Sequence, residues 1–191
     1  MNHRMLTLPL LILMGSFAMA DDKQKPLFDF SKPDALEAWQ TVNDGVMGGI
    51  SEGKVRMTKD KTLEFFGNLS LENNGGFASV RTKAKKLGLE KSDVLVVRIR
   101  GDGREYSLNL YVPRPLIAFS YRAMVQTKKD EWIEVKVPLD KFEATSFGRV
   151  VKDAVPMDPP EVNALGFLLG DKKAGPFKLE VEWIRLERTA R

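Results

Sequence analysis

Two side chains central to nucleophilic, acid–base and transition-metal chemistry, cysteine and histidine, are missing from this chain beyond its N-terminal segment. It has no cysteine, and its single histidine is His3. Beyond the N-terminal segment there is no imidazole and no thiol. That excludes zinc sites built from histidine and cysteine, cysteine nucleophiles and every Ser-His-Asp arrangement. Carboxylate, lysine, tyrosine or calcium-type chemistry remains. Asp102 and Glu105 come nearest to a carboxylate pair for acid–base work. Both flank a glycine turn, where solvent is their expected surrounding. No stretch has the dense Asp/Asn/Glu spacing of a calcium loop. From the residues no catalytic residue, cofactor or metal ligand is assigned, and a carboxylate pair and a calcium ion on a loop carboxylate stay open as alternatives.

Two glycine-rich stretches are the least generic part of the chain. Val42-Asn-Asp-Gly-Val-Met-Gly-Gly49 follows Trp39, and Glu72-Asn-Asn-Gly-Gly-Phe77 follows a β-patterned run. Glycine permits backbone conformations closed to residues with a Cβ, and asparagine or aspartate can bond back to a local turn. Neither stretch precedes a helical pattern, so neither is a phosphate loop. One reading is that both are turns a β-sandwich needs. The other is a shaped loop displaying Asn43, Asp44 and Met47 to a partner.

The elements that must position these turns are strands. Ser31 to Trp39 reads as a helical turn or two with Ser31 as N-cap. After Trp39 the apolar pattern has period two. Candidate strands are Lys54–Thr58, Thr62–Asn68, Phe77–Thr82, Val94–Arg100, Glu105–Val112, Ile117–Thr127, Trp132–Pro138, Ala164–Leu169 and Phe177–Glu187. Gly101-Asp-Gly103 reads as a tight hairpin turn, and Phe142 to Pro160 as a long connecting loop. The pattern predicts an all-β, antiparallel sandwich or jelly roll. In the last strand Phe177, Leu179, Val181 and Trp183 are expected inward, with a bulge or edge near Trp183 where the alternation slips.

Three central strands carry a polar second side. Arg98 lies on the first, Asn109 and Tyr111 on the second, Arg122 on the third. If these strands are neighbours, the four residues make a tyrosine-bearing surface suited to a sugar or peptide. The alternative is an ordinary solvated sheet face.

The 191 residues are 43% hydrophobic and 29% charged, an ordinary globular balance. Basic residues number 30 against 26 acidic and are interleaved with them. The densest basic run, Arg81 to Lys86, has no interleaved aromatic, so no nucleic-acid partner is expected. Residues 1–20 combine Arg4, an apolar run from Leu6 to Met14 and Ala18-Met-Ala20 before Asp21. This layout predicts a cleaved signal peptide, a periplasmic or secreted location and no stable membrane insertion after cleavage. A single domain is expected over 27–188.

The order of several motifs resembles the complex I intermediate-associated protein 30 family. Trp39 is followed by Val42 to Gly49 with Ser51, then Phe66-Gly-Asn-Leu-Ser70, then Glu72 to Arg81. The resemblance continues through Arg100-Gly-Asp-Gly-Arg104 with Tyr106, Trp132, Val137-Pro138, Phe142 and the closing Gly166 and Phe177 to Ile184. It implies a galactose-binding-like jelly roll related to carbohydrate-binding modules. It also implies an assembly chaperone of NADH:ubiquinone oxidoreductase that is not an enzyme and binds assembly intermediates. The expected partner is accordingly a protein, such as an assembly intermediate, with a glycan on one sheet face as the alternative.

Overall fold

The computed structural model describes residues 24–113 and 119–188. The predicted signal peptide lies outside them. The described chain builds two antiparallel sheets, as the period-two pattern demands. The six-stranded sheet contains β1 (Gln24–Asp29), β3 (Glu52–Met57), β4 (Leu63–Leu69), β6 (Asp93–Gly101), β9 (Trp132–Pro138) and β13 (Gly175–Arg188). Its path runs β3-β4-β13-β6-β9. The long β13 pairs β4 along its first half and β1 along its second.

The seven-stranded sheet contains β2 (Trp39–Thr41), β5 (Ala78–Thr82), β7 (Glu105–Tyr111), β8 (Phe119–Gln126), β10 (Glu143–Ser146), β11 (Arg149–Val150) and β12 (Ala164–Leu169). Its order is β11-β10-β8-β7-β12-β5-β2.

The core lies between the sheets. Alternate residues of facing strands fill it: Leu95, Val97 and Ile99 from β6 and Leu179 and Val181 from β13, against Tyr106, Leu108 and Leu110 from β7 and Phe167 from β12. At one end Phe28 and Phe30 pack on Trp39, with ring centroids 5.2 and 5.7 Å apart.

Four local expectations are corrected. The helical turn shrinks to a 3-10 turn at Ala35–Ala38 with Asp34 at its N-cap position. Ser31 instead bonds Asp29, donating its N–H and its hydroxyl at 2.9 Å each. The stretch expected as a loop after Phe142 contains the β10–β11 hairpin, whose turn residues Phe147 and Gly148 both have positive φ. A phenylalanine there gives no turn signal in sequence.

Gly101-Asp102-Gly103 is no hairpin, because it carries the chain from β6 in one sheet to β7 in the other. A Cβ on Gly101 would lie 2.5 Å from Thr127 Cβ, so this crossing needs glycine. Trp183 is not inward either. A register shift between Val181 and Trp183 turns its half-buried ring to the outer face, where Arg185 Cζ sits 3.9 Å from the centroid. The expected bulge is there, and it is what expels the ring.

Candidate functional site

The two glycine-rich turns are built around one carboxylate. Asp44 follows β2 and is 0% exposed. It accepts hydrogen bonds from Ser51 Oγ (2.6 Å) and Ser51 N–H (2.9 Å) in its own turn. From the other turn it accepts the N–H groups of Gly76 (2.7 Å) and Phe77 (3.3 Å). The glycines make room for it: a Cβ on Gly49 would lie 2.6 Å from Asp44 Oδ1, and one on Gly75 2.7 Å from Oδ2. Burial pushes the Asp44 pKa up, but these four hydrogen bonds outweigh it and hold the carboxylate below its ordinary value.

Asp44 is therefore not presented to a partner, which corrects that part of the expectation. Nor is Asn43 at a tip: its Nδ2 donates to Gly53 O at 3.1 Å, and its Oδ1 is buried. Met47 is exposed (48%), and so are Val46 (72%), Ile50 (52%) and Leu71 (47%). Of these, the sequence reading offered only Met47 as a candidate contact, with Val46 beside it either tucked in or presented. The other three belong to the same pair of turns, and their apolar character beside the glycines was the available signal.

The four residues expected on one polar surface are divided between the sheets. Arg98 is on β6, in the six-stranded sheet, ion-paired with Glu134 (3.2 Å) and Glu182. Asn109, Tyr111 and Arg122 are on β7 and β8 and share the outer face of the seven-stranded sheet. There the cross-strand register lines up Gln40, Arg81, Gly166, Asn109, Arg122 and Glu143.

Arg81 takes the place expected of Arg98. Its guanidinium carbon lies 4.9 Å from the Tyr111 ring centroid, and its Nη2 donates to Ser79 Oγ at 3.3 Å. Gly166 lets β5 and β12 approach closely here, since a Cβ would fall 2.5 Å from Val80 O and 2.7 Å from Arg81 Cβ. Asn109 Nδ2 donates to Tyr111 Oη at 3.5 Å. Burial raises the Tyr111 pKa against the opposing Arg81 charge and Asn109 hydrogen bond, so its hydroxyl stays protonated at neutral pH.

The remaining chemical candidates are occupied. Asp102 accepts from Tyr106 Oη (3.1 Å) and from the N–H groups of Arg104 (3.0 Å) and Lys178 (2.9 Å), while Glu105 is exposed. Asp102 braces the crossing between sheets and forms no acid–base pair with Glu105. An open, mostly apolar cavity of about 750 Å³ lies beside Tyr121, Leu139, Phe142, Val150 and Val155. The Tyr121 hydroxyl in it already donates to Val155 O at 2.9 Å. Among the described residues, no group of three or more acidic side chains is arranged to hold a metal ion.

Residues 28–181 match the family model for complex I intermediate-associated protein 30. The chain belongs to this family. Its relatives include "Complex I intermediate-associated protein 30, mitochondrial" of Mus musculus, 27% identical over 184 residues, covering 85% of this chain and 56% of the mouse protein. The Drosophila melanogaster protein of the same name is 29% identical over 185 residues, covering 84% of this chain and 62% of that protein. The chain thus spans little more than half the length of these relatives. Among solved structures, a family 11 carbohydrate-binding module of Clostridium thermocellum superposes with a TM-score of 0.68 at 14% identity. That match covers 88% of this chain and 96% of the module. A family 30 module superposes with a TM-score of 0.56 at 15% identity, covering 88% and 99%. At such identities the likeness shows the fold, a β-sandwich.

The expected periplasmic or secreted location is overturned by the family comparison. The mouse, Drosophila and Neurospora crassa relatives are all named as mitochondrial proteins, which points to mitochondria. The lack of acidic residues before Asp21 is a feature that organellar leaders also have.

Proposed function

We propose that this family member is a non-enzymatic binding domain that docks a protein, an intermediate in the assembly of respiratory complex I. The observation that carries the reading is the braced end of the sandwich. Asp44 is buried and locks the two glycine turns together, while Val46, Met47, Ile50 and Leu71 are exposed on those turns. Such side chains gain by leaving water against a partner's apolar surface, and the brace removes the entropic cost of ordering the loop on binding. The relatives' name supports the choice of partner. The absence of cysteine, and of histidine beyond His3, supports a role without catalysis.

A glycan reading draws on Tyr111, yet the Arg81 guanidinium already lies against that ring. A sugar would have to displace it to stack there. That favours the protein partner.

The test is affinity capture of the tagged protein from its native membranes, followed by mass spectrometry, beside a Met47→Asp variant. Complex I subunits should be captured by the wild type and lost from the variant. Capture without complex I subunits, or capture indifferent to Met47→Asp, would sink the reading.

A further inference from the structure

The two outer faces of the sandwich treat their arginines differently. On the six-stranded sheet the cations are neutralised by neighbours. Arg56 pairs with Glu64, Arg98 with Glu134 and Glu182, Arg100 with Glu180 at 2.8 Å, and Lys136 with Glu187 at 2.7 Å. On the seven-stranded sheet, Arg81 and Arg122 have no such partner among the described residues. Arg81 rests on the Tyr111 ring, and Arg122 Nη2 only reaches Gly148 O at 3.4 Å. Glu143 stands opposite Arg122 in register without forming an ion pair with it. The basic character continues past Arg81 into exposed Lys83 and Lys85.

A second observation is independent of charge. Two buried polar atoms on this face have no hydrogen-bond partner among the described residues, Arg81 Nε and Asn109 Oδ1. Asn109 is only 2% exposed. Buried donors and acceptors are nearly always paired, so an unmatched donor on β5 and an unmatched acceptor on β7, with only β12 between them, mark a face whose polar groups the described residues do not fully satisfy.

We infer that the outer face of the seven-stranded sheet recognises an extended acidic segment of a protein partner, with Arg81 and Arg122 as its carboxylate anchors. The inference rests on the proposal that the ligand is a protein. Stacking on Tyr111 fixes the plane of the Arg81 guanidinium, which suits pairing of its terminal Nη groups with a carboxylate. Arg81 and Arg122 are three strand intervals apart, roughly 14 Å between backbones, and Arg81 leans toward β7. An extended chain advances about 3.3 Å per residue with alternate side chains on one face. Acidic residues at i and i+2, or at i and i+4, therefore meet both anchors. The unneutralised charge also steers an acidic segment toward this face, with a strong dependence on salt.

The test is fluorescence anisotropy with a labelled ten-residue alternating Glu-Ser peptide. A Lys-Ser peptide and an oligogalacturonate are comparison probes, the latter presenting carboxylates on a sugar. The Glu-Ser peptide should bind, weaken at least tenfold in Arg81→Gln and in Arg122→Gln, and weaken as salt rises. Arg98→Gln, on the opposite face, should bind like the wild type. Arg81→Lys, which keeps the charge and loses the planar fork, should recover only part of the affinity. Thermal melts establish that each variant is folded. If Arg81→Gln does not fold, Arg122→Gln carries the test.

Equal binding of the Glu-Ser and Lys-Ser peptides, no binding of either, or wild-type affinity in both glutamine variants would overturn the inference. Binding of the oligogalacturonate alone would overturn the protein source. Partner capture that depends on Met47 while the peptide fails to bind would remove this inference and leave the proposed function standing. Peptide binding that depends on Arg81, with no complex I subunit captured, would do the reverse.

Discussion

Ser51 Oγ donates to Asp44 Oδ2 at 2.6 Å, and that same carboxylate oxygen accepts Gly76 N–H at 2.7 Å. One buried oxygen thus ties the turn after β2 to the turn before β5. The conformation of both depends on a single ionised group.

Asp44→Asn should destabilise the protein by about 2–3 kcal/mol at neutral pH, because an amide cannot satisfy the donors that converge there. The folded-state pKa of Asp44 is depressed. Its contribution is therefore full above the unfolded carboxylate value of about 3.9 and is lost as pH falls through the lower folded value. Urea unfolding at pH 7, 4 and 3 checks this. The wild type should lose stability on the acid limb, and the Asp44-dependent part of that loss should be missing in the variant.

Gly49→Ala should cost about 1–3 kcal/mol, although Gly49 does not have a positive φ. The added methyl would sit 2.6 Å from Asp44 Oδ1 and force the carboxylate off its donors. Gly45→Ala is the control. Nothing lies within 4 Å of a Cβ there, and it should change stability by less than about 0.5 kcal/mol. Denaturant midpoints for the two variants decide.

Met47→Asp and Val46→Asp should leave the melting temperature within a few degrees of wild type, since both side chains are exposed. The same changes should abolish capture of the partner. Melting far below wild type would show that these side chains stabilise the fold, and their exposure would then need another explanation.

Arg104→Met should be more damaging than loss of any surface pair, at about 3–5 kcal/mol. Arg104 Nη2 pairs with Asp171 at 2.6 Å with both side chains largely buried, and Nη1 donates to Pro176 O at 3.1 Å. Burial pushes the Asp171 pKa up, but the Arg104 hydrogen bond, the Lys173 N–H and the charges of Arg104 and Lys173 together outweigh it and hold the carboxylate below its ordinary value. The variant leaves that carboxylate buried without its cation. Its loss of stability should shrink in acid, where Asp171 protonates in both proteins, and a pH series of thermal melts reads this.

The strands were legible from sequence wherever alternation ran for five or more residues. Phe177, Leu179 and Val181 line the core, with Lys178 and Glu180 on the other face. β2 and β11 were not legible, because three- and two-residue strands have no period to detect. Of the candidate site, the importance of the glycine turns was visible, but the side on which each residue faces was not. Asp44 looked like a displayed carboxylate because its partners, Ser51 and Gly76, are 7 and 32 residues away.

The sequence by itself determined which side chains are missing, the β class and the family. Composition and period are properties of the chain alone. Only the tertiary structure decided that Arg81, and not Arg98, joins Tyr111 and Asn109. β6 and β7 are consecutive and carry the same alternating pattern, which buries equally well whether two strands pair side by side or face each other across a core. The choice depends on which neighbours complete their hydrogen-bond ladders. β6 takes β13 and β9, and β7 takes β12 and β8, partners remote in sequence.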